Sequence, residues 1–136
     1  ESHYLSFFAQ AADALLAAIG LDDQTVADGH SYFTAESHLR HLGQLRLGEA
    51  VYVTTQVLGA DDKRIHAFHR LHRATDDSLA ATAEQMYLHV DTTREKVCPA
   101  GAAIQANVER VAKAHAAMAM PDSAGRAISP IVSRAA

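Results

Sequence analysis

Three ionisable side chains, those of Glu36, His38 and Arg40, recur at every second position in the segment SYFTAESHLRHL. Less polar residues alternate with them, which is the two-residue period of a β-strand. A carboxylate, an imidazole and a guanidinium would therefore share one face of that strand. Glu36 is a candidate catalytic carboxylate, with His38 or Arg40 stabilising its charge. The alternative interpretation of the same face is a solvated surface or a subunit contact.

Nine histidines raise the question of a metal site. His66, His69 and His72 are spaced by three, which would align them on a helix, but the surrounding pattern is that of a strand. In a strand His69 faces away from the other two, which breaks a three-ligand site, and we predict no metal. Neither a glycine-rich phosphate loop nor a Gly-x-Ser-x-Gly motif occurs, so the sequence gives no support to serine hydrolase chemistry. We expect no cofactor.

The size and charge of the chain further limit the class of protein to which it can belong. The 136 residues predict a single domain, and a formal net charge of −4 does not favour nucleic acid or an anionic membrane as partner. The lone Cys98 cannot form an internal disulfide, which suits a reducing compartment. Apolar runs are shorter than the ~20 residues that a membrane span requires. We expect a cytoplasmic protein.

The elements that must position these residues follow from hydrophobic periodicity. An alanine-rich helix ends at Gly20 and is apolar nearly all round, which predicts that other structure encloses it. Four strand patterns then follow, joined by the turns DDK and TDDS, and we predict an antiparallel meander. A second amphipathic helix is predicted over 102–118. We expect one domain over 1–120 and an irregular tail over 121–136.

The order of a long apolar helix, a curved antiparallel sheet and a second helix predicts an α+β hot-dog fold. The segments ESHYLSFFAQAADALLAAIGLD, YFTAESHLRHL, GEAVYVTTQVLGADDKRIHAFHRL and LAATAEQMYLHVDT resemble hot-dog acyl-CoA thioesterases of the 4-hydroxybenzoyl-CoA thioesterase type. Within that type they are most similar to the betainyl-CoA thioesterase branch. The resemblance covers roughly residues 1–92. No single motif in it is decisive, and it is more specific for the family than for the substrate.

The resemblance implies where catalysis occurs. In the family the helix follows a loop of the form Asp-x-x-Gly-His-Met-Asn, so the catalytic aspartate is expected just before Glu1. The oxyanion donors would be the backbone amides of Glu1 and Ser2, because the first N–H groups of a helix lack partners inside it. Some relatives use an acidic residue on this helix, which makes Asp13 a second candidate carboxylate. A hydrogen bond on the helix face is the alternative role for Asp13.

The resemblance also suggests substrate contacts. A basic pair at the hairpin DDKRIH matches Lys63 and Arg64, which would bind the phosphates of coenzyme A. Arg40 is a further candidate substrate contact. A cationic betainyl group would require a carboxylate or an aromatic face, and Glu36, Tyr4 and Tyr32 are candidates.

The sequence thus predicts an enzyme that hydrolyses a small acyl-CoA, with CoA as part of the substrate. Two alternatives remain open, a hot-dog dehydratase or hydratase acting on an acyl thioester, and a non-catalytic acyl-thioester-binding module. Because a single curved sheet leaves a face and edges uncovered, we also expect a homodimer or homotetramer. The acyl group, the choice between dimer and tetramer, and any fusion to another protein are not determined by the sequence.

Overall fold

The computed structural model describes residues 2–131, apart from the side chain of Ser2. Glu1 and residues 132–136 of the predicted tail lie outside the described residues. The helices and strands follow one another as α1 (Ser2–Ala18), α2 (Asp23–Ala27), β1 (His30–His41), β2 (Val51–Ala60), β3 (Arg64–Arg73), β4 (Leu79–Asp91), β5 (Lys96–Val97) and α3 (Ala102–Ala116). The fold is α+β, as predicted. The short elements α2 and β5 were not predicted, because five and two residues are too few to show a hydrophobic period.

The strands form one antiparallel sheet in the order β1-β4-β3-β2, with β5 added to the end of β4. The predicted four-strand meander is correct for β2, β3 and β4 and wrong for β1, which pairs with β4. The connection 42–50 carries the chain from one side of the sheet to the other. Pairing β1 with β4 sets strands of 12 and 13 residues side by side, so the two longest strands satisfy each other's backbone groups.

Helix α1 crosses one face of the sheet, which we call the inner face. Phe8, Leu15 and Ile19 are its buried residues, and their spacing of seven and four positions places them on one stripe of the helix. The opposite side of α1 is open, and Leu5 is 54% exposed. The predicted enclosure of this helix on all sides is therefore not achieved within the single chain, because the sheet covers only one stripe.

Two apolar clusters form the core between α1 and the inner face. The first lies toward the end of α1 and includes Ile19, Val57 and Ile65. The second lies toward its beginning and includes Phe8 and Leu71 together with two alanines of β4. A polar chain of side chains, described below, crosses the inner face in the same region.

Helix α3 fixes the end of α1. The Asn107 side chain of α3 donates from Nδ2 to the carbonyl oxygen of Ile19 at 2.9 Å, which satisfies a carbonyl that the helix end leaves unpaired. Gly20 follows with φ of +100°, and a Cβ there would lie 3.2 Å from the Asn107 amide. Glycine is therefore the residue that this left-handed position and close approach require.

The segment after α3 lies against the other, outer face of the sheet. The backbone N–H of Val57 donates to Nδ1 of His115 at 2.8 Å, and the Gln56 side chain donates to the carbonyl of Ala119 at 3.1 Å. Further on, the N–H of Gly125 donates to both carboxylate oxygens of Glu84, at 2.8 and 3.1 Å. Residues 117–131 contain no helix or strand. Within the described part of the chain, no helix is long and apolar enough to span a membrane.

Candidate functional site

Glu36 and His38 lie together on the outer face, as their spacing predicted. A bulge between Thr34 and Glu36 shifts the register of β1 against β4, and beyond it Glu36 pairs with Met86 and His38 with Glu84. Both side chains line a cleft of about 440 Å³ at the edge of the sheet. We call this the outer cleft. Its other lining residues are Ser37, His66, Glu84, Gln85, Met86 and residues 125–128.

The outer cleft contains a second acid–base pair that sequence reasoning missed. Nε2 of His66 lies 2.6 Å from Oε2 of Glu84, and the Glu84 side chain is only 13% exposed. Glu84 also accepts the N–H of Gly125. The cleft therefore combines two carboxylates and two imidazoles from three strands. The alternation within β3 and β4 gave a weak signal for the faces of these residues, but only the strand register brings them together.

Arg40 lies apart from Glu36 and His38. It lines a separate cleft of about 410 Å³ with Arg70, Asp122 and other residues of the outer face and the C-terminal segment. Among residues 2–131, Arg40 forms no hydrogen bond or ion pair with Glu36. Of the three residues predicted to act together, the structure groups two.

Tyr4 lies at the beginning of α1 in a mainly apolar groove. The groove has a volume of about 390 Å³ and is lined by His3, Tyr4, Phe7, residues 45–49 and Val51. The Tyr4 hydroxyl donates to the carbonyl of Gly43 at 2.9 Å, which ties the helix to the 42–50 connection. We call this the helix-start groove. Ser2 is the first residue of α1, so its amide and that of His3 lie at the positive end of the helix.

Lys63 and Arg64 lie at the β2–β3 turn, where the sequence placed them. The guanidinium of Arg64 bonds to Asp61 at 2.7 Å, and both side chains are largely exposed. The hydrogen bond from Arg64 is the main cause that holds the pKa of the Asp61 carboxyl below its usual range. Arg64 is thus partly neutralised, whereas no side-chain ion pair of Lys63 occurs among the described residues.

Tyr32 and Asp13 lie away from the outer cleft. Tyr32 is 7% exposed in the core, with its ring 5.0 Å from that of His89 in an edge-on arrangement. Burial, with a smaller contribution from the charge of Asp61, raises the pKa of Tyr32 to about 12. Asp13 is exposed on α1, and its charge adds to the effect of burial in raising the pKa of Tyr87.

A chain of hydrogen-bonded side chains crosses the inner face beneath α1. The oxygen of Thr55 lies 2.8 Å from Nδ1 of His69, and Nε2 of His69 lies 2.8 Å from the Tyr87 hydroxyl. The Tyr87 hydroxyl donates to Oε1 of Gln85, and Nε2 of Gln85 donates to the Ser37 hydroxyl oxygen at 3.2 Å. We call these five residues the inner-face chain. Burial lowers the pKa of His69 to about 4.

Sequence reasoning did not identify the inner-face chain, although one signal pointed to it. The alternation of β3 predicted that His69 faces away from His66, and His69 is indeed fully buried on the opposite face. Within residues 2–131, no three histidine, cysteine, aspartate or glutamate side chains are grouped so that they could hold a metal ion.

The chain matches the thioesterase-like superfamily over residues 1–108. It is 43% identical over 129 residues to the betainyl-CoA thioesterase of Pseudomonas aeruginosa, covering 94% of this chain and 81% of that protein. It is also 49% identical over 126 residues to the L-carnitine dehydrogenase/betainyl-CoA thioesterase of Rhizobium meliloti, covering 93% of this chain. The chain spans 25% of the length of that relative.

Solved structures agree on the architecture. A candidate thioesterase from Pseudomonas putida KT2440 superimposes with a TM-score of 0.80 at 36% identity, over 97% of this chain and 84% of that one. A Staphylococcus aureus protein solved in complex with CoA superimposes with a TM-score of 0.88 at 23% identity, over 96% of this chain and 83% of that one. The fold is therefore the hot-dog fold of acyl-CoA thioesterases, as predicted. The chain belongs to the thioesterase-like superfamily.

Proposed function

We propose that this chain hydrolyses betainyl-CoA, or a closely similar small acyl-CoA, to the free acid and CoA. The observation that carries the proposal is the 43% identity to a betainyl-CoA thioesterase of which the chain covers 81%. Identity at this level over 81% of a relative supports a shared reaction, whereas the fold by itself supports many activities.

The beginning of α1 supplies the electrostatic part of the reaction. Thioester hydrolysis develops negative charge on the carbonyl oxygen, and donors aimed at that oxygen lower the barrier. The amides of Ser2 and His3 lie at the positive end of the helix, next to the helix-start groove. We assign these amides to the oxyanion, with Glu1 as a further candidate.

The helix-start groove suits a small cationic acyl group. In a betainyl group a single methylene separates the carbonyl carbon from the trimethylammonium, so the cation must lie beside the oxyanion donors. Tyr4 and Phe7 place aromatic rings in that groove, and Glu49 adds a carboxylate that is paired with Arg73. Aromatic faces attract such a cation by about 0.5–2 kcal/mol. Tyr32, which lies in the core, is not needed for this contact.

A carboxylate must act as the nucleophile or activate water. Within this chain Asp13 and Glu36 are the candidates. Asp13 is exposed on α1. Glu36 lies in the outer cleft with His38, on the face opposite α1, so in a homo-oligomer it would serve the site of a neighbouring copy. At the β2–β3 turn, Lys63 and Arg64 are proposed to bind the CoA phosphates. Arg40 remains a proposed substrate contact through its own cleft on the outer face.

We further propose a homo-oligomer that acts in the cytoplasm. In the described part of the chain, β1 pairs with β4 along one side and its other side has no strand partner. The open side of α1 exposes Leu5, which follows Tyr4 of the helix-start groove in the sequence. An unpaired strand and an exposed apolar side chain are both features that association between copies would cover.

The test is thiol release by the purified protein with betainyl-CoA, acetyl-CoA and benzoyl-CoA. We expect the highest kcat/KM with betainyl-CoA. Asp13→Asn and Glu36→Gln are compared with Asp23→Asn, an exposed carboxylate of α2 that lines none of the clefts described above. A loss of 100-fold or more in one of the first two variants identifies the carboxylate. Full activity in both variants excludes Asp13 and Glu36 as the catalytic carboxylate, and it does not contradict the proposed hydrolysis.

The same assay separates the alternatives. A hydratase is favoured by one observation, the Glu84–His66 pair in the outer cleft, because hydration of an enoyl thioester requires an acid and a base. It would consume crotonyl-CoA without releasing thiol. A binding module would bind CoA by calorimetry and release no thiol from any substrate. Either result would contradict the proposed hydrolysis.

A further inference from the structure

The inner-face chain has a single direction of hydrogen donation. Gln85 Oε1 can only accept, so the one proton of the Tyr87 hydroxyl is used there. The Tyr87 oxygen must then accept from Nε2–H of His69. A neutral His69 that donates from Nε2 accepts at Nδ1, which makes the Thr55 hydroxyl the donor. Every donor therefore points from β2 toward β1.

Burial supports this assignment. His69 and Tyr87 are 0% and 1% exposed, and the low pKa of His69 keeps its imidazole neutral near pH 7. In a site of low dielectric constant, hydrogen bonds arranged head to tail polarise one another and strengthen the last donor. No buried side-chain nitrogen or oxygen within residues 2–131 lacks a hydrogen-bond partner, so the buried members of the inner-face chain are all paired inside the protein.

The chain ends at an exposed hydroxyl. The Ser37 oxygen accepts from Gln85 at 3.2 Å, which leaves its own proton for another acceptor. The described contacts include no acceptor for that proton. The Ser37 side chain lies with that of Gln85 on the inner face, opposite the side chains of Glu36 and His38. Leu39, the next residue of β1 on that face, packs against the core cluster together with Tyr4 and Phe7 of the helix-start groove. A polarised donor is thus held at an exposed position of the inner face, on the side of the sheet that carries the beginning of α1.

We propose that the Ser37 hydroxyl donates a hydrogen bond to a carbonyl oxygen of the bound acyl-CoA, and that Gln85, Tyr87 and His69 are positioning residues that orient and polarise it. This inference rests on the proposed thioesterase function. The carbonyl is either that of the thioester or that of a pantetheine amide, since both are neutral acceptors that match a hydroxyl donor. Ser37 would contact the substrate, while the other three act only through it.

The primary test compares Ser37→Ala with Ser37→Thr in the full-length protein, using thiol release from betainyl-CoA. We expect kcat/KM to fall about tenfold in Ser37→Ala, in keeping with one neutral hydrogen bond, and to stay within about threefold in Ser37→Thr. A fall in kcat identifies the thioester carbonyl as the acceptor, and a rise in KM identifies a pantetheine amide. Unchanged kcat/KM in Ser37→Ala overturns the inference.

The positioning role proposed for Gln85, Tyr87 and His69 is tested by a separate measurement. Tyr87→Phe removes the middle donor while Ser37 stays in place, and we expect kcat/KM to fall severalfold. Gln85→Met breaks the chain at a half-buried position and is the second variant should Tyr87→Phe fold poorly. The 15N chemical shifts of His69 are expected to report the neutral Nε2–H tautomer in the wild type and a change in Tyr87→Phe. An Nδ1–H tautomer of His69 in the wild type would contradict the direction of hydrogen donation inferred for the inner-face chain.

These results separate the two proposals. A wild-type protein that releases no thiol from any acyl-CoA contradicts the proposed function, and the Ser37 assignment fails with it. A wild-type protein that hydrolyses betainyl-CoA, with Ser37→Ala equally active, contradicts only the Ser37 assignment. Ser31→Ala is the matched control, because Ser31 lies on the same strand outside the inner-face chain and outside the outer cleft.

Discussion

The imidazole Nε2 of His69 lies 2.8 Å from the hydroxyl oxygen of Tyr87, and both side chains are fully buried beneath α1. His69 pairs with Ala83 across the sheet, whereas Tyr87 pairs with Ile65, so the tyrosine side chain must extend along β4 to reach the histidine. The small side chains of Ala67 and Ala83, both 0% exposed, leave the space for it. The hydrogen bond between His69 and Tyr87 therefore depends on the small side chains packed beside it.

The first prediction concerns pH. The pKa of His69 is about 4 in the folded protein and about 6.5 when unfolded, so the unfolded state binds more protons between these values. The free energy of unfolding should fall by up to about 3 kcal/mol as pH drops from 6.5 to 4. Urea denaturation at several pH values measures this. In His69→Gln the fall should be smaller, and an equal fall in both proteins would contradict the prediction. His3→Gln, an exposed site, is the control.

The second prediction concerns the space beside Tyr87. Ala67→Val adds two methyl groups where the tyrosine and Gln85 side chains pass, and overpacking of this kind costs about 1–3 kcal/mol. Thermal or urea unfolding measures the loss. Ala60→Val, at the exposed end of β2, should change the free energy of unfolding by less than about 0.5 kcal/mol. Equal effects at the two sites would show that Ala67 has no special packing role.

The third prediction concerns the C-terminal segment. Glu84 accepts hydrogen bonds from His66 and from the backbone of Gly125. Glu84→Ala should therefore release the segment from the outer face and speed hydrogen exchange around residue 125. The expected loss of stability is about 1–3 kcal/mol, since His66 and Gly125 both lose an acceptor. Glu95→Ala, an exposed residue beyond β4, is the comparison. Unchanged exchange near residue 125 would exclude this anchoring role.

The fourth prediction concerns the contact between the helices. Asn107→Ala leaves the Ile19 carbonyl without its partner, and we expect a loss of about 1 kcal/mol in the free energy of unfolding. The amides of the last turn of α1 should exchange faster with solvent. Gln10→Ala, which removes only a surface contact to Ser6, is the control. Should the two variants be equally stable, the Asn107 hydrogen bond contributes nothing to helix docking.

The fifth prediction concerns CoA recognition at the β2–β3 turn. Arg64 is paired with Asp61, so Lys63 should contribute more to phosphate binding than Arg64. We expect Lys63→Ala to raise KM for acyl-CoA several-fold at low salt, with kcat unchanged, and to weaken its dependence on ionic strength. Lys96→Ala removes a lysine of the same charge from the neighbouring strand β5, and it should raise KM less than Lys63→Ala does. Equal KM values for wild type and Lys63→Ala would exclude Lys63 from the phosphate site.

Some features of the site followed directly from the sequence. Alternation in β1 predicted that Glu36 and His38 share a face, and alternation in β3 predicted that His69 faces away from His66. Both predictions hold, because the direction of a side chain in a strand depends only on its position parity and on local bulges. The proposed roles of Asp13, Lys63 and Arg64 remain predictions to be tested by activity.

The partners of these residues could not be predicted in the same way. The Glu84–His66 pair and the inner-face chain join residues on different strands, and such contacts depend on strand order and register. The predicted meander placed β1 beside β2, which would have separated Ser37 from Gln85. Only the antiparallel pairing of β1 with β4 brings them together.

The sequence by itself determined the fold class, the ends of the long helices and the resemblance to thioesterases, because periodicity and glycine placement are local properties. The tertiary structure decided which polar groups meet. A hydrogen-bonded chain such as Thr55 to Ser37 requires that side chains from four strands approach one another to hydrogen-bonding distance, 2.8 Å at its first contact and 3.2 Å at its last. That arrangement is set by the whole sheet and by the helix packed on it, and no short segment of the chain encodes it.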